Sequence, residues 1–208
     1  AIVTLHLLGG LVLLVLLGVQ AVRVDPRGHA WRAPLPPAAH RWLWLATGLV
    51  LVQAALGGWV STNYAVLACS DFPTCQGRWW PPMDFAAGFE LWRPLGQRAD
   101  GSAIPFAALT AIHFVHRLAA VVVLAALAVC AASLWRVAGY RRHARWIAAL
   151  ATLQLVSGLS NVVLDWPLLA AVAHTGGAAA LLLVLSMALA AQRARDLPTT
   201  ARPEGLST

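Results

Sequence analysis

The sequence predicts an all-α integral membrane protein of about five transmembrane helices, four of which form a bundle. Composition, hydropathy and run length predict it. Hydrophobic residues make up 60% of the 208 residues and charged residues only 11%, against roughly 25% charged in a soluble domain. The mean hydropathy is +0.70. The apolar runs each approach the ~20 residues that a bilayer core demands.

The runs read as spans at roughly 2–22, 41–62, 106–134, 146–164 and 168–191. No charged segment or small-residue cleavage site accompanies the first run, which argues against a secretory signal. The chain reads as a piece of a longer protein, cut inside or just before a membrane helix. Residues 23–40 form a loop, "DPRGHAWRAPLPP" within it, because prolines deny a helix its hydrogen bonds. Span two carries "QAALGGWVS" (Gln53–Ser61), span three opens on "AIHFVHR" (Ala111–Arg117), span four carries "QLVSGLSNV" (Gln154–Val162) and span five "HTGGAAA" (His174–Ala180). Residues 41–191 thus make a four-helix unit with a long loop, 63–105. The polar, Pro-containing tail 192–208 reads as disordered.

The net charge of +7 comes from arginine alone. A pI of 11.0 raises nucleic acid as a partner, but the arginines lie between apolar runs rather than along a stripe. That is the positive-inside pattern; it excludes nucleic acid and leaves membrane lipid as the surroundings. Arg23, Arg27, Arg32 and Arg41 precede span two, Arg136, Arg141, Arg142 and Arg145 follow span three, and Arg193, Arg195 and Arg202 follow span five. With five spans all three groups share the cytoplasmic side of a plasma (inner) membrane. The near-neutral 63–105 loop then lies outside. Its Trp79, Trp80 and Trp92 suit a lid on the membrane surface.

Cys69 and Cys75 lie in that loop, on the oxidising side. The pair reads as a disulfide, as two reduced thiols or as a redox-active pair. Cys130, in a span, reads as packing. His6, His113, His116 and His174 fall within spans, where an ionisable residue is costly and points to function. His29, His40 and His143 fall in arginine-rich segments and read as solvated. Spans two and four share Q-x-x-x-G, a chance match or a faint internal repeat. Each is followed by a span with a histidine near its outer end.

By helix rise, His116 lies ~15 Å and His174 ~9–10 Å past the outer starts of their spans. Facing histidines at similar depth suit a haem, whose iron takes imidazole from both sides and whose apolar face tolerates burial. Zinc would want four ligands, and no carboxylate or cysteine lies at that depth. Small residues after His174 leave room for a porphyrin. His113 and His116 share a helix face, and His116 is the preferred ligand because Arg117 follows it. Arg117 reads as a propionate partner or as an arginine snorkelling to the interface. His113 reads as a donor behind the ligand or as merely interfacial.

The stretches "GGWVSTNYAVLACSDFPTCQGRWWP", "IHFVHR" and "DWPLLAAVAHTGGAAALL" resemble the C-terminal half of the heme A synthase family, and "TLHLLGG" resembles the last helix of its N-terminal half. The resemblance implies a membrane enzyme oxidising a methyl group of heme O to the formyl group of heme A, which serves heme-copper terminal oxidases. The chemistry implied is successive hydroxylation with dioxygen, then loss of water. It also implies eight helices in two similar halves, with His116 and His174 holding a permanent heme b and His6 matching a substrate-haem ligand whose partner histidine is missing. The chain alone is then expected to bind haem without making heme A. An electron donor, heme O synthase and a second copy in a homo-oligomer are the further partners considered. A b-type cytochrome for electron transfer and a haem-binding assembly module use the same histidines.

Overall fold

The computed structural model describes residues 1–25, 34–94 and 96–193, and in them the chain is an all-α multi-pass membrane protein. The helices are α1 (Ile2–Val24), α2 (Pro37–Thr62), the short α3 (Phe85–Gly88), α4 (Phe106–Trp135), α5 (Arg141–Val163) and α6 (Leu168–Arg193). Five are long and apolar enough to cross a membrane, all but α3. Single 3-10 turns at Ala65–Ala68 and Ala138–Tyr140 lead out of α2 and into α5.

Two helices start earlier than expected. Helix α2 begins at Pro37, with Pro36 as its N-cap. A proline at the first helical position loses no hydrogen bond and already has a helical φ. Helix α5 begins at Arg141 rather than near residue 146, because alanine and arginine are strong helix formers whatever their polarity. This corrects the reading of His143, which is on α5 rather than in a solvated loop. Its ring tilts against that of Tyr140 at 5.6 Å, and its Nδ1 is buried. His40 is likewise helical, in the first turn of α2 beside Trp44. His29 and the 192–208 tail, apart from the last backbone of α6, lie outside the described residues, as does part of the 23–40 loop.

Helices α2, α4, α5 and α6 form a closed ring, each packed on two neighbours in the order α2–α4–α5–α6–α2. Helices α4 and α6 therefore occupy diagonal corners. Helix α1 lies outside the ring, against α6 and α2. Leu43, Val50, Val123, Leu127, Leu134, Ile147 and Leu185 fill the core. In lipid, contact and close approach rather than hydrophobicity hold such helices together. Gly58 of α2 is one such approach: a Cβ there would come within 3.1 Å of both Leu7 and Thr4 of α1.

The 63–105 loop is folded onto one end of the bundle. Cys69 and Cys75 are joined in a disulfide, and both are fully buried. Asp71 organises the small ring they close: it accepts from the Thr74 hydroxyl and from the amides of Gln76 and Gly77. Those bonds, the Thr74 one foremost, hold its carboxyl below its ordinary 3.8. Farther on, Trp59 donates to the Gly88 carbonyl at 3.0 Å. Arg93 bonds Asn63 at 2.6 Å and lies over the Trp59 ring; burial lowers its pKa. Trp79, Trp80 and Trp92 are mostly exposed.

Candidate functional site

His116 on α4 and His174 on α6 project from the diagonal corners of the ring, toward the end that carries the loop. Both are partly buried, whereas the core beyond them is closed.

Each histidine is seated by the same device from the preceding helix. Gln53 of α2 donates to the His116 carbonyl at 3.1 Å, and Gln154 of α5 donates to the His174 carbonyl at 2.9 Å. One turn on, a glycine makes room for the ring. A Cβ on Gly57 would stand 3.2 Å from His116 Cε1, and one on Gly158 3.3 Å from His174 Cε1. The Q-x-x-x-G repeat is therefore a repeated histidine seat, not a coincidence of spelling. Of the two glycines after His174, Gly177 admits the Gln154 amide, while Gly176 faces open space.

The other candidates are placed differently. His113 is only 5% exposed, against the backbone of Ala65, and its Nδ1 has no partner. Arg117 reaches into the disulfide ring: Nη1 donates to the carbonyls of Asp71 at 2.8 Å and Thr74 at 3.0 Å, and Nη2 to that of Cys69 at 2.7 Å. His6 is exposed on α1, outside the ring of four.

Residues 1–186 match the family described as cytochrome oxidase assembly protein, COX15-CtaA. The chain belongs to that family. Among curated relatives, the heme A synthase of Shewanella oneidensis is 35% identical over 188 residues, 88% of this chain and 56% of that protein. A heme A synthase of Methylorubrum extorquens is 32% identical over 92% of this chain and 48% of its own. That of Methylobacterium radiotolerans is 31% identical over 84% and 47%. The chain thus spans about half the length of the curated relatives it matches. No solved structure matches it.

A haem is the group this COX15-CtaA family implies, and the residues present fit one. The donor set is two imidazoles on opposed helices. A side chain at Gly57 or Gly158 would push into the rings, and Gln53 leaves a buried Oε1 without a partner beside one of them. Among the described residues no group of three or more His, Cys, Asp or Glu could hold a metal ion by itself. Sequence reasoning missed Ser157, whose hydroxyl is 2.9 Å from His174 Nδ1, and the cluster of Trp59, Asn63 and Arg93. A serine in an apolar helix was a legible signal, since its hydroxyl must find a partner.

Proposed function

We propose that this chain holds a b-type haem between His116 and His174 and serves the conversion of heme O to heme A for heme-copper oxidases. The paired Gln–Gly–His seats on diagonal helices carry the reading. A bound haem supplies one-electron redox chemistry. Gln53 and Gln154 tie down the helix backbone at each ligand, and Gly57 and Gly158 let the rings lie flat against the neighbouring helices. His113 stands one turn behind His116, as a positioning group. Arg117 keeps N–H donors for a propionate beyond those it gives to the disulfide ring. The arginine-rich segments face the cytoplasm and the 63–105 loop faces outward. His6 is a ligand for the substrate haem, in a site completed by the half that the longer relatives carry. There dioxygen is the oxidant: each of two hydroxylations of the methyl carbon takes one oxygen atom while the other leaves as water with two electrons from the electron donor and two protons, and loss of water from the resulting diol leaves the formyl group.

The purified chain, reconstituted with haem, should show a low-spin b-type spectrum with two nitrogen ligands. His116→Ala and His174→Ala should each abolish it; wild-type spectra in both variants would overturn the reading. Joined to the N-terminal half of a relative, the chain should yield heme A from heme O. His6→Ala should lower that yield and leave the b-type spectrum intact.

A further inference from the structure

Helices α2 and α5 are in register, Gln53 with Gln154 and Gly57 with Gly158. They differ one residue before the glycine, where α2 has Leu56 and α5 has Ser157. Ser157 Oγ is 2.6 Å from the Leu153 carbonyl and 2.9 Å from His174 Nδ1. A carbonyl only accepts and a serine hydroxyl has one hydrogen, so that hydrogen goes to Leu153. Ser157 then accepts from His174. The ring proton sits on Nδ1, and the Nε2 lone pair is free.

Among the described residues no hydroxyl bonds His116, whose side-chain partner is Gln53. Gln53 Nε2 bonds the His116 carbonyl, which sets the amide's orientation, because the turned amide would put oxygen against oxygen. Its second hydrogen faces the ring, 3.0 Å from Nδ1 and 3.4 Å from Nε2. An amide that close to both ring nitrogens stands over the ring face and in line with neither lone pair, so Gln53 does not fix the ring through Nδ1 as Ser157 fixes His174.

We infer that the two histidines are unequal ligands, His174 fixed and His116 exchangeable, and that Ser157 opposite Leu56 is the cause. This rests on the haem reading above. His174 offers its Nε2 lone pair as it stands. His116 has no such partner at Nδ1, so nothing behind the ring holds its Nε2 lone pair toward a haem. Ser157 is a positioning residue that acts through the ring it orients, as partners behind a ligand generally do.

The test uses the full chain loaded with haem b, reading haem retention, spin state and carbon monoxide affinity of the ferrous form. His116→Ala should keep its haem as a five-coordinate high-spin species, while His174→Ala should retain it at least about 10-fold more weakly. Leu56→Ser supplies the missing acceptor and should weaken carbon monoxide binding about 10-fold. Ser157→Ala should weaken haem retention by a similar factor, and Ser157→Thr should restore it. Equal haem retention in the two histidine variants would overturn the inference and leave the haem site standing. So would unchanged carbon monoxide affinity in Leu56→Ser, which keeps both histidines and so does not depend on either alanine variant folding. Wild-type spectra in both histidine variants would instead remove the haem reading itself.

Discussion

Gly57 and Gly158 are where one atom decides the site. A Cβ at either would press on an imidazole at 3.2 or 3.3 Å, close enough that the ring must give way. A branched side chain there would displace it. Gly158→Val should therefore lower haem content and shift the low-spin spectrum while far-UV circular dichroism keeps its helical form. Retained content and spectrum would show that His174 does not need this seat. The two glutamines and glycines were visible in the sequence because each pair lies in one helix at fixed spacing. What they do was not visible. Gln53 and Gln154 bond the main-chain carbonyls of His116 and His174, and every residue has a carbonyl, so no residue type marks the partner. Arg117 hid its role in the same way, since its three acceptors are also carbonyls.

The helices were legible as elements, because about 20 apolar residues in a row have one stable arrangement in lipid. Their starts at Pro37 and Arg141 were less so, since hydropathy marks where a chain enters lipid and not where it begins to coil. The 63–105 loop was read as lid-like from its tryptophans, but its anchoring depends on contacts far apart in sequence. The disulfide ring hangs on Arg117 and is shaped by Asp71. Arg117→Ala leaves three carbonyls without their charged donor, so it should loosen the ring by roughly 1.5–3 kcal/mol, measured as faster amide exchange at Gln76 and Gly77. Acid should do the same through Asp71. Its folded pKa is lowered below 3.8, so its contribution is full above that value and is lost as pH falls through the lowered one. Asp71→Asn should remove this acid dependence; exchange that still accelerates in acid would place the sensitive group elsewhere.

At the scale of the molecule, the ring order α2–α4–α5–α6 makes a histidine pair from helices that never become neighbours. Sequence reading anticipated the bundle of four from the repeat, but not the diagonal, because hydropathy says that helices span and not which of them touch. Orientation is a separate matter, carried by arginine. Reporter fusions at Ala38 and Ala138 should report cytoplasmic, and one at Gly101 external; an external signal at Ala138 would break the five-span arrangement. Helix α1 adds a constraint of timing. It packs on α2 but more extensively on α6, and the Gly18 position lies hard against Leu183. The ribosome delivers α1 first among these helices and α6 last. During synthesis the α1–α6 contact must therefore wait while three spans, α2, α4 and α5, are inserted between them. Contacts this distant along the chain form late, so a ribosome that stalls before α6 leaves the α1 face that packs on it uncovered.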